Sequence, residues 1–210
     1  MIIESLNIGK PKKYNWKGRE VRTAIFKTPY DGKLNLKILN LEGDKQADLR
    51  VHGGTDKAVY GYASEYYALW KQENPEIDFP TGAFGENLTI SGGLFEDKIC
   101  VGDIFSCGTA EIMAVQPRIP CYKIGLRFGT DDMISRFLNA RRAGVYFKVV
   151  REGELKAGDR MEKKFSAKDA VTISELFTLL TKGKKDKELL QKAINTPQLP
   201  EDLKAHFQKY

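Results

Sequence analysis

The 210-residue sequence predicts a mostly β protein with added α structure (α+β), a barrel or sandwich followed by a small C-terminal three-helix appendage. Short alternating segments separated by glycine turns fill roughly the first 165 residues. Only two stretches within them carry helical periodicity. Beyond Phe165 the texture changes to short amphipathic runs with helix-start signals. These observations set the expected units at residues 1–164 and 165–210.

The alternation of Leu34, Leu36 and Ile38 predicts a strand that ends at a Gly43-Asp44 turn. Gly102-Asp103 feeds a strand through Phe105, and Gly108 breaks it from another running toward Gln116. The stretch "GVYFKVVREGELKAGDRM" predicts a hairpin around Gly153. Ser64 is placed to cap a helix through "EYYALWKQEN" that Pro75 ends. Asp131 or Asp132 is placed to cap "MISRFLNARRA", with Gly144 as terminator. In the tail, Thr172 and Glu175 have the spacing of a capping box, and "ELLQKAIN" and "EDLKAHFQKY" follow as two further helices. Each is too short to stand alone, so the three must pack together or on the barrel.

Composition narrows the function classes. With 41% hydrophobic and 30% charged residues the chain reads as an ordinary globular protein. No apolar run is long enough to span a bilayer, so no membrane association is expected. The N-terminus lacks a basic segment followed by an apolar one, and Cys100, Cys107 and Cys121 make no disulfide framework, which fits a cytoplasmic setting. Residues 1–40 hold nine Lys or Arg against three Asp or Glu, equal to the whole chain's net charge of +6. No RNA-recognition motif, zinc-finger spacing or continuous basic helix accompanies them, so no nucleic-acid partner is expected.

Two segments stand out chemically. "RVHGG" places Arg50 and His52 two apart, so both leave one face of an extended segment, ahead of Gly53, Gly54 and Lys57. Cationic side chains and accessible backbone N–H groups suit an anion; a tight turn with a satisfied histidine is the alternative. In "QPRIPCYKIG" the two prolines forbid a regular helix or central strand, and Cys121 lies between Arg118 and Lys123. Cations beside a thiol favour the anionic form that binds soft metals, whereas a lone cysteine can equally be a small buried apolar residue. An extended chain after Pro120 would put Cys121 and Lys123 on one face. Asn87, in "FGENL", has an amide suited to a polar ligand or to its own turn. Cys100 and Cys107 read as core, and His206 as a surface residue of the last helix.

The runs "GDKQADLRVHGGTDKAVYGY", "FGENLTISG", "VGDIFSCG" and "QPRIPCYKI", in this order, resemble the MOSC domain family, named for the C-terminal domain of molybdenum cofactor sulfurases. The tail resembles the three-helix domain that follows it in the YiiM-like branch. The resemblance implies a MOSC-type β-barrel of the pyruvate-kinase β-barrel-domain kind, carrying the molybdenum cofactor (molybdopterin). It implies Cys121 as metal ligand and catalytic centre, with Arg50, His52, Gly53, Lys57, Asn87 and Arg118 around the cofactor. The implied activity is reduction of N-hydroxylated compounds, such as 6-N-hydroxylaminopurine bases, to amines. With no flavin, nicotinamide or iron–sulfur motif in the chain, electrons would come from a separate flavin-type reductase, docking on the basic N-terminal third. Two alternatives stay open: a cofactor or sulfur carrier using Cys121 without turnover, and a phosphate-binding barrel using "RVHGG" with Cys121 structural. Oligomeric state is left open, a homodimer being one option.

Overall fold

The computed structural model describes residues 1–48, 53–183 and 185–210. Its main sheet has eight strands in the order β13-β9-β10-β11-β7-β8-β1-β4. These are β1 (Ile2–Ile8), β4 (Thr28–Tyr30), β7 (Val59–Ala63), β8 (Leu88–Ser91), β9 (Ile104–Cys107), β10 (Ala110–Pro117), β11 (Val145–Arg151) and β13 (Met161–Phe165). All neighbours are antiparallel except β7 and β8. The sheet closes on itself: Ile2 bridges Arg160, and Ile3 N–H reaches Asp159 O at 3.0 Å while Gly158 N–H reaches Ile3 O at 2.8 Å. A barrel results, with β4 hanging from its β1 edge and closure removing the exposed edges of an open sheet. The smaller sheets are the β2–β3 hairpin (Lys12–Trp16, Arg19–Thr23) and the order β12-β5-β6 (Gly153–Leu155, Leu34–Lys37, Asn40–Leu41).

Strand β7 shows how the core is divided. All five of its residues are buried, as expected for a strand covered on both faces. Val59 and Ala63 join the barrel interior with Ile3, Leu88, Ile90, Phe105 and Phe147. Tyr60 and Tyr62 point the other way, into an aromatic layer with Trp70, Phe84 and Phe137. That layer is roofed by α1 (Glu65–Glu73), α2 (Tyr122–Phe128) and α3 (Asp132–Ala140). The tail forms α4 (Ile173–Lys182), α5 (Lys187–Asn195) and α6 (Glu201–Phe207), whose Leu176, Leu179, Leu190 and Phe207 join the barrel's own apolar cluster.

Several expectations are corrected. The segment after Pro120 is not extended: α2 begins at Tyr122, one residue after Cys121. The prolines still set its limits, because Pro117 ends β10 and Pro120 lies in the connecting loop. Gly153 does not make a hairpin with β11; β12 pairs instead with β5, Leu155 opposite Leu34. Ser64 and Asp131 occupy N-cap positions without side-chain capping bonds, Asp131 taking the Lys17 ammonium instead. The left-handed turn ending α3 falls on Arg141 (φ 57°), not Gly144, and Arg141 reaches across to Thr178 on α4. The Thr172–Glu175 capping box forms as expected.

Candidate functional site

One end of the barrel, where β10 finishes and β11, β7 and β8 begin, carries an open cleft. Among the described residues it draws Lys57, Tyr60, Asn87, Arg118 and Cys121 together with Lys27, Asp44, Lys45, Lys123 and Tyr146. Of the expected site residues, Lys57, Asn87, Arg118 and Cys121 therefore meet. Gly53 is half-buried and is not among the described residues lining the cleft. Arg50 and His52 lie outside the described residues.

Arg118 is held by two contacts. Its guanidinium donates to the Phe84 carbonyl, and its Cζ lies 5.0 Å from the Tyr60 ring centroid. The turn that carries Phe84 is held by Glu86, a fully buried carboxylate that accepts from Gly82 N–H at 2.9 Å and Phe84 N–H at 3.1 Å. Glu86 also takes Thr89 Oγ1 at 3.0 Å and the Tyr67 hydroxyl, and burial pushes its carboxyl above the usual range. Gly85 completes the turn at φ 73°; a Cβ there would lie 3.0 Å from Ile25 Cγ1 and 3.3 Å from Arg118 Nη1. Burial works against the Arg118 charge, but Tyr146, Tyr60, Cys121 and Glu86 around it outweigh that and shift it upward.

The opposite wall is a buried ion pair that the sequence reading missed. Lys27 Nζ pairs with Asp44, which also accepts from Gly9 N–H at 2.8 Å and Asn87 Nδ2 at 2.9 Å. Asn87 Oδ1 accepts from Tyr60 N–H at 3.1 Å, so the Asn87 amide knits three segments together rather than pointing into open space. Asp44 had looked like a turn residue, and Lys27 like one scattered cation among nine. Their pairing across loops is what no local pattern signals.

Cys121 stands at the N-cap position of α2, half-buried, its carbonyl accepting from Ile124 N–H at 2.9 Å. The loop between Pro117 and Tyr122 thus delivers the thiol into a cleft that also holds Lys27, Lys57, Lys123 and Arg118. Cys107 is fully buried on β9, as expected of a core residue, and burial pushes its thiol up to about 12. Cys100 is half-buried near the tail helices. Among the described residues no group of three His, Cys, Asp or Glu is arranged to hold a metal ion. No helix among them is long and apolar enough to cross a membrane.

The sequence model of the MOSC domain matches residues 48–162. The chain is 41% identical over 155 residues to Protein YiiM of Escherichia coli (strain K12), spanning 73% of this chain and 68% of that protein. It is 35% identical over 145 residues to a protein named Reductase from Gibberella moniliformis (strain M3125 / FGSC 7600), spanning 68% of this chain and 26% of that one. The crystal structure of YiiM from Geobacillus stearothermophilus superimposes with a TM-score of 0.82 at 29% identity, covering 99% of this chain and 97% of that one.

Proposed function

The chain belongs to the MOSC domain family, and on that premise we propose that it is a molybdenum-cofactor-binding oxidoreductase that reduces N-hydroxylated compounds, such as 6-N-hydroxylaminopurine bases, to amines. The observation that carries this reading is the position of Cys121, a single thiol opening into a cleft lined by Lys27, Lys57, Lys123 and Arg118. A bare metal ion needs several protein donors, which the described residues do not assemble. A metal that arrives already chelated by its own organic ligand needs only one, and thiolate sulfur is a suitable donor. The donor set therefore fits the molybdenum cofactor. The relative named Reductase supports redox chemistry.

The chain's own residues would divide the work. Cys121 would ligate the metal through its sulfur. The Lys27 and Lys57 ammonium groups and the Arg118 guanidinium would hold the cofactor's phosphate. Tyr60 and Tyr146, with ring centroids 5.0 Å apart, would form a wall that keeps water from the reacting centre. Asn87 would act through Asp44 by holding the carboxylate that orients Lys27. When bound, the cofactor supplies two-electron redox chemistry and an acceptor for oxygen. The substrate R–NHOH takes two electrons and two protons and leaves as R–NH2 and water. The electrons come from a separate flavin-type reductase, for which the basic β2–β3 hairpin offers a complementary surface to an acidic face.

The test is anaerobic reduction of 6-N-hydroxylaminopurine by cofactor-loaded protein and a chemical reductant. Adenine should form with wild type and be lost with Cys121→Ala. Equal rates for the two proteins would refute the reading.

A further inference from the structure

Beside the cleft lies a second concavity between the β2–β3 hairpin and the start of α2, lined by Trp16, Lys17, Arg19, Glu20, Val21 and Tyr122. Two chain connections bring its lining next to that of the cleft. Tyr122 directly follows Cys121, and Val21 lies two residues before Thr23, which lines the cleft from the end of β3.

The groove has walls held by contacts of their own. The hairpin tip is tied down by the ion pair between Lys17 and Asp131, the residue leading into α3. Further along, Tyr14 stacks on Phe26 at 4.2 Å, and Phe26 in turn lies 5.1 Å beneath the Arg127 guanidinium of α2. The hairpin is thus linked to α2 and to the start of α3. Within this frame Tyr122, the residue after Cys121, is 52% exposed, a large ring left in solvent in the second concavity. Trp16 lines the same groove, with Lys17 Nζ 5.6 Å from its ring centroid. Two aromatic surfaces flanked by Arg19 donors and a Glu20 acceptor are the chemistry that receives a flat heterocycle with a hydrogen-bonding edge.

We infer that this groove is the subsite for the planar heteroaromatic base of the substrate, seating it on Tyr122 and Trp16 with its reacting substituent directed toward Cys121. The inference deepens the reductase reading and rests on it for the choice of a purine-type base.

The chain has two tryptophans, and Trp70 is 1% exposed with its Nε1 bonded to the Tyr62 hydroxyl, so a quench by added base reports Trp16. Adenine and 6-N-hydroxylaminopurine, titrated into the full chain, should quench tryptophan fluorescence saturably. Trp16→Phe should abolish that quench while leaving the residual Trp70 emission. By equilibrium dialysis, Tyr122→Ala should weaken binding of either base roughly tenfold, whereas Tyr122→Phe stays near wild type. A quench that survives Trp16→Phe, absence of saturable binding, or wild-type affinity in Tyr122→Ala would overturn the subsite. Base binding as described in a protein that never reduces the substrate would remove the reductase reading and leave the groove. Reduction at an unchanged KM in Tyr122→Ala would remove the groove and leave the reductase.

Discussion

Lys27 and Asp44 form an ion pair in the wall of the cleft, their side chains 9% and 2% exposed. The two partners are unequal. Without Lys27, the Asp44 carboxylate keeps its bonds from Gly9 N–H and Asn87 Nδ2. Without Asp44, the ammonium is stranded in a buried place and Asn87 loses a partner. Asp44→Ala is therefore expected to cost about 3–5 kcal/mol, and Lys27→Met distinctly less. Urea unfolding midpoints of the two variants check this, and a reversed order would contradict it.

The same pair gives the protein an alkaline pH dependence. Burial, assisted by the nearby Arg118 charge, pulls Lys27 below its ordinary 10.5 despite the attraction of Asp44. Between the folded-state value and 10.5 the unfolded chain keeps a proton that the folded chain has released. The contribution of this group to stability therefore rises with pH across that window. Its positive charge disappears over the same window, so affinity for inorganic phosphate in the cleft should fall. Lys27→Met should flatten the stability profile and delay the fall in phosphate affinity, read by denaturation and titration calorimetry at stepped pH.

Glu86 predicts a coupled loss of stability and site geometry. Glu86→Ala would leave Phe84 N–H, Thr89 Oγ1 and the Tyr67 hydroxyl without their acceptor, and Gly82 N–H with the Tyr67 hydroxyl alone. A buried donor left unsatisfied costs about 1–3 kcal/mol, so a total loss of roughly 3 kcal/mol or more is expected. Because the turn that presents Phe84 O to Arg118 would then loosen, phosphate affinity should drop along with the melting temperature. A variant that is destabilised yet binds phosphate as wild type would separate Glu86 from Arg118.

What could be read from the sequence follows from how local each feature is. The Thr172–Glu175 capping box needs only residues three apart, and it forms as written. The strands around Gly108 were legible because Cys107 and Ala110 pair across a short turn. The partner of β12 was not: Leu155 meets Leu34 through long-range burial that no hairpin signal encodes. Helix α2 was hidden because Pro117 and Pro120 announce a break without saying that Tyr122 restarts the chain. In the site, Cys121 and Arg118 were marked by their loop, whereas Lys27, Asp44 and Tyr146 become site residues only through the fold.

The tail is expected to unfold together with the barrel. Leu176 of α4 is fully buried and belongs to the same apolar cluster as Ile112 and Ala114 of β10. Leu176→Ala should cost about 2–5 kcal/mol. Both tryptophans lie before residue 165, so fluorescence follows the barrel while far-ultraviolet circular dichroism also follows the helices. Coincident transitions by the two probes, shifted equally in the variant, are expected. Separate midpoints would make residues 165–210 an independent unit.

The proposed role of Cys121 as the molybdenum ligand in the cation-lined cleft is open to direct assay. Molybdenum and pterin should be quantified on wild type and Cys121→Ala purified from a molybdate-replete host. Near-stoichiometric molybdenum is expected in the wild type and its loss in the variant, with unchanged melting temperature of the metal-free proteins. Equal molybdenum in both proteins, or none in either, would contradict it.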